Sequence, residues 1–122
     1  MVAKRTGMTN LNVLVITIPQ TRSPERPEYL AVVAYISRER VVQRQDFIRR
    51  LEYVMRFLKK LMGRDGGGRW HVFIYFVGRA FRLGVYEEAK YTRALLKSKG
   101  LDIGLRLIEL RYGSEGLSEF SA

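Results

Sequence analysis

Phe73-Ile-Tyr-Phe-Val-Gly-Arg-Ala-Phe81 is the stretch that decides the fold. A run this apolar, β-branched and aromatic reads as a buried strand, starting near Trp70, and Gly78-Arg79 reads as the turn that ends it. Downstream, residues from about Leu83 to Lys97 carry helical spacing, and about Leu101 to Tyr112 reads as another strand. Gly113-Ser-Glu-Gly-Leu117 follows. Strand, helix and strand make a βαβ unit, which fixes a parallel pair and covers one face of a sheet. The chain upstream must then supply the remaining strands and the second helix.

Working outward, residues 1–9 read as a loose basic arm. Asn10 to Ile18 is β-branched and short, hence a strand. Pro19 to Pro27 holds all three prolines and reads as a loop. Glu28 to Ile36 is a second strand, apolar almost throughout, as expected of a strand covered on both faces. Ser37 is read as the N-cap of a long amphipathic helix, about Arg38 to Met62, with Arg40 at the position where a capping box would need an acid. Its apolar stripe is Val41, Ile48, Leu51, Val54, Met55, Leu58 and Leu61; its other face carries Arg44, Arg49, Arg50, Arg56, Lys59 and Lys60. Gly63 to Gly68 stops the helix and connects it flexibly to the decisive strand. The expected order is β-β-α-β-α-β, an α/β fold arranged as a two-layer α+β sandwich. One domain spans residues 10–117, with a tail at 118–122 and the N-terminal strand in the sheet or hairpinned beside the second strand.

The 122 residues suffice to bury a core without staples. Twenty-two Lys and Arg against twelve Asp and Glu give a formal charge of +10, which attracts polyanions. Arg outnumbers Lys, favouring forked phosphate contacts. The absence of cysteine excludes disulfides, thiolate chemistry and Cys-based zinc sites. No apolar run is long enough to span a membrane, and the N-terminus lacks the apolar core of a signal peptide. A cytoplasmic location is expected.

Catalytic chemistry finds little support. His71 is the only histidine and reads as a rim residue. The two upstream strands hold no interior acid for a metal-dependent nuclease core. Glu87-Glu88-x-Lys90 reads as ordinary helix surface, and neither glycine-rich stretch matches a phosphate-binding loop. No catalytic residue, metal, cofactor or small-molecule substrate is expected.

The charged positions carry more information. Ser37-Arg-Glu-Arg40 lies where the second strand gives way to the long helix, and Gly78-Arg-Ala-Phe-Arg82 where the third gives way to its helix. In a parallel arrangement both junctions fall at one edge of the sheet, with both helix N-termini pointing there. Arg38, Arg40, Arg79 and Arg82 would then form one basic rim, extended by Arg44, that suits phosphates.

Gly78-Arg-Ala-Phe81, the helix with Val85, Ala89 and Leu95-Leu96, and Ile103 through Leu117 resemble the archaeal Alba chromatin proteins. That family typically shows a Gly-Arg-Ala-Ile turn, a helix, and a strand ending in Ile-Gly-Thr-Glu-Glu-Leu. Tyr35-Ile-Ser-Arg-Glu-Arg-Val41 is similar to its Tyr-Ile-Gly-Lys-Lys-Pro-Val junction. The resemblance covers roughly residues 30 to 117. It implies a fold like the C-terminal domain of translation initiation factor three, a homodimer or a heterodimer with a related subunit, and binding to duplex DNA or RNA without strong sequence preference. A nucleoid-associated role, or one in an RNA-protein particle, would follow. By that comparison Arg38 and Glu39 stand at the family's lysine pair, Glu39 reversing the charge, and Arg79 stands at its turn. The family's last strand, part of a hairpin arm, has no expected counterpart here; the extra strand Asn10 to Ile18 is expected to occupy its vacated place in the sheet, a hairpin beside the second strand being the alternative, and Lys4 and Arg5 are the candidates to take the arm's role.

Two other readings remain. One is an assembly subunit that contacts another protein through the long helix at Phe47, Tyr53 and Phe57. The other is a nuclease-like α/β fold that has lost its carboxylates. Phe73, Tyr75, Phe76 and Trp70 are expected mostly in the core, which favours duplex over single strand.

Overall fold

A computed structural model describes residues 2–5, 11–18, 27–64, 68–101, 103–110 and 117–121. The elements run β1 (Val2–Arg5), β2 (Leu11–Ile18), β3 (Glu28–Ile36), α1 (Arg44–Arg64), β4 (Arg69–Gly78), α2 (Leu83–Ser98), β5 (Ile103–Leu110) and β6 (Leu117–Ser121). All six strands join one mixed sheet in chain order. β3, β4 and β5 are parallel, while β1–β2, β2–β3 and β5–β6 pair antiparallel.

Two helical crossovers between neighbouring parallel strands, taken in the same direction, place both helices on the same face of the sheet. Burial follows that rule. Val33 and Tyr35 of β3, Ile74 and Phe76 of β4, and Leu105 and Leu107 of β5 alternate inward, against Phe47, Leu51, Val54 and Leu58 of α1 and Val85, Ala89 and Leu96 of α2. Phe76 sits at the centre: its ring stacks on Tyr35 at 4.8 Å and meets Phe47 edge-on at 4.8 Å. The result is a two-layer α+β arrangement.

Several expectations change. β3 was expected to be covered on both faces, but it alternates between buried and half-buried residues, because among the described residues only one side of the sheet carries helices. Phe73 and Tyr75 accordingly lie on the open face, not in the core, whereas Phe76 is core. Phe47, read as a partner contact, is fully buried, so α1 turns it inward.

The basic arm expected at residues 1–9 is a strand over Val2–Arg5, paired with the edge of β2 that its hairpin with β3 leaves open. The strand expected in the vacated place of a last strand, β2, instead pairs with β3 as a hairpin, and β6 holds the place beside β5. The tail expected at 118–122 is mostly β6, antiparallel to β5, so a last strand is present after all. Four- and five-residue strands show no periodicity of their own; the open sheet edge supplies the pairing.

α1 starts at Arg44, not Arg38, because residues before it pair with the β4–α2 junction. It also runs through Gly63 to Arg64, the glycine's cost of about 1 kcal/mol falling in the last turn of a helix whose packed face lies upstream. The expectations on residues 19–26 (the proline loop), 65–67 (the glycine connector) and 111–116 (the end of the last expected strand and the stretch after it) lie outside the described residues.

Candidate nucleic-acid interface

The carboxyl ends of β3 and β4 are where the two strand-to-helix junctions meet. The Ser37 amide donates to the Val77 carbonyl at 2.7 Å, the Val42 amide to the Ala80 carbonyl at 2.8 Å, and the Arg82 amide to the Val42 carbonyl at 3.0 Å. Val42 and Phe81 thus form an isolated parallel bridge beyond the ends of their strands. These bonds consume backbone groups that a helix starting at Arg38 would have used, which is why α1 begins later. Ser37 is not a helix cap: its Oγ accepts from the Glu39 amide at 3.2 Å, a local turn.

The cap lies six residues on. The Gln43 carbonyl accepts the first helical bond from Phe47, and the Asp46 carboxylate reaches back to the Gln43 amide at 3.3 Å. This is the acidic half of a capping box, and it also places negative charge in the first turn.

Gly78 makes the bridge possible. A Cβ there would sit 3.1 Å from both the Phe81 ring and a Val42 methyl, so the two apolar side chains of the bridge close over a residue that must be small. Val42 is buried. The arginines on either side of this apolar knot are therefore set on a braced rim.

Arg38, Arg40, Arg79 and Arg82 are all exposed on that rim. Arg82 is the N-cap of α2, in extended conformation with φ −69° and ψ 152°, and its side chain makes no cap bond. Gly84 in the first turn of α2 approaches the Arg44 side chain at the start of α1 to 3.4 Å from its Cβ position. The N-termini of both helices therefore stand side by side, adding partial positive charge at one place.

Arg44 pairs with an acid of α2. Its Nε and Nη2 donate to Glu88 Oε2 at 3.2 and 3.1 Å, tying α1 to α2 and offsetting part of its charge. This pairing gives Glu88 a structural role; nothing but the spatial approach of the two helices signals it, since 44 residues separate the partners. Lys4 and Arg5 lie on β1, with Arg5 in register with Asn12 and, through it, Ala34. Their backbone is near the same sheet edge, about two strand spacings, or roughly 10 Å, from β3.

The opposite edge of the sheet holds a different set of groups. His71 Nε2 lies 3.7 Å from Glu28 Oε1, and Arg69 lies 3.9 Å from the same oxygen. A cavity of about 460 Å³ opens there between α1, β4 and β5, lined by Met55, Leu58, Met62, Trp70, Val72, Leu101 and Ile103 with Arg56 and Lys59 at its side. Among the described residues no three His, Cys, Asp or Glu converge as metal ligands. No described helix is long and apolar enough to cross a membrane.

Comparison with protein-family models, with curated proteins and with solved structures gives no match.

Proposed function

We propose that this chain binds nucleic acid through its arginine rim, holding duplex DNA or structured RNA by phosphate contacts with little sequence preference. The observation that carries this reading is the bonding of the two junctions to each other. It brings Arg38 and Arg40 beside Arg79 and Arg82, next to two helix N-termini, in a chain of formal charge +10. Exposed arginines on a braced backbone suit phosphate oxygens, and contacts of this kind position a duplex without reading its bases.

The resemblance to the Alba proteins supports the same reading, and β6 removes one departure from that family's pattern. Glu39 remains a departure, exposed among the arginines, and it weakens one phosphate position. The bridge between Val42 and Phe81 keeps the rim apolar beneath and charged above.

The test is fluorescence anisotropy with duplex DNA and duplex RNA, comparing the native chain with an Arg38→Glu/Arg40→Glu/Arg79→Glu variant. Affinity should fall at least a hundredfold in the variant. Binding that persists unchanged would refute the proposal and favour the assembly reading.

A further inference from the structure

The cavity between α1, β4 and β5 lies at the end of the sheet away from the arginine rim. The two helices start side by side, but α1 has 21 residues and α2 has 16, so α1 outruns its neighbour by about 7.5 Å. α2 stops where Gly100, at φ 79°, turns the chain towards β5, and the Leu101 amide closes back on the Leu96 carbonyl at 2.9 Å. The space of about 460 Å³ opens beside this overhang.

Its walls are apolar. Met55, Leu58 and Met62 follow one another along one side of α1 at helical spacing. Trp70 and Val72 line it from β4, and Ile103, in register with Val72, lines it from β5. Trp70 is steadied by Tyr29, the two rings stacked at 4.6 Å, while the methionine thioethers adapt to the shape of an apolar guest.

Two cations interrupt this lining. Arg56 and Lys59, three residues apart on α1, are exposed at the side of the cavity. Arg44, Arg49 and Arg69 each meet a carboxylate, but among the described residues Arg56 and Lys59 meet none. Nor does any described acid line the cavity. An apolar recess edged by unpaired positive charge is complementary to a molecule with an apolar body and one anionic end.

We propose that this cavity binds a free amphipathic carboxylate of the fatty-acid type, its tail against Trp70 and the methionines and its head on Arg56 and Lys59. The volume is that of sites for small organic ligands. A nucleic-acid strand does not suit it, because repeated phosphates would lose their water on entering an apolar recess. The site stands or falls independently of what the arginine rim binds.

Trp70 is the sole tryptophan, so its fluorescence reports on the cavity directly. Titrating the full chain with monomeric dodecanoate should shift the emission to the blue and saturate. Decanoate, two methylenes shorter, should bind roughly tenfold more weakly. Dodecyltrimethylammonium, with the same tail and the opposite charge, should also bind about tenfold more weakly than dodecanoate. An Arg56→Glu/Lys59→Glu variant should lose about tenfold in dodecanoate affinity, whereas Arg50→Glu/Lys60→Glu, the same change of charge on the same helix outside the cavity lining, should keep it. The ligand series needs no mutation, so it decides the question even if a charged variant fails to fold. No shift with dodecanoate, equal affinity for the anionic and cationic amphiphiles, or equal losses in the two double variants would overturn the proposal. So would a shift that arises only with phosphatidylglycerol vesicles, which would mark a membrane contact instead.

Discussion

Val42 and Phe81 pair across the two strand-to-helix junctions, the Val42 amide and carbonyl bonding Ala80 and Arg82 at 2.8 and 3.0 Å. Their side chains close over Gly78. The rim arginines owe their common placement to this knot, together with the Ser37–Val77 bond beside it.

Gly78→Ala should therefore loosen the rim. The added methyl meets two packed side chains, and neither is a flexible end, so overpacking should cost about 1–3 kcal/mol. Chemical denaturation measures it, and duplex affinity should drop with it. An unchanged midpoint would mean that the knot has room to spare.

Phe76→Ala removes the ring that Tyr35 and Phe47 both touch. A loss of about 3–5 kcal/mol is expected, as for other buried aromatic truncations. Urea unfolding followed by circular dichroism reads it directly.

Asp46→Ala deletes the acid that reaches back to the Gln43 amide and faces the positive end of α1. The expected cost is about 0.5–1 kcal/mol. Asp46→Asn should recover part of it, because the amide oxygen still accepts a bond while the charge is lost.

The Arg44–Glu88 pair spans two helices, yet the Arg44 side chain is 54% exposed. Solvent screening should hold its coupling in a double-mutant cycle below about 1 kcal/mol. Glu88→Gln should instead show itself in binding, tightening duplex affinity a few-fold as Arg44 becomes available to phosphate.

Much of this was legible in the sequence. Glu28 to Ile36 is read and observed as the same strand, and α2 differs by one residue at its end, because long periodic or β-branched runs dominate local preference. The edge location of Arg38, Arg40, Arg79 and Arg82 followed from parallel topology alone. The start of α1 did not, because Val41 and Val42 fit the helical stripe as well as they fit a bridge, and only the β4–α2 junction decides between them. Val2–Arg5 and Leu117–Ser121 were too short to show alternation. The run from Glu28 to Ile36 could not show whether one face or two is covered, since Leu30, Val32 and Ala34 on its open face are as apolar as Ala31 and Val33 on its core face.

The most direct test of the central claim is the salt dependence of duplex binding, measured by anisotropy on two duplexes of unrelated sequence. Each phosphate neutralised contributes about −0.9 to the slope of log affinity against log salt. Four rim arginines predict a slope of about −3 to −4, equal for both sequences, falling towards zero in the Arg38→Glu/Arg40→Glu/Arg79→Glu variant. Failure to bind either duplex at low salt, or a slope that the variant leaves unchanged, would contradict the account.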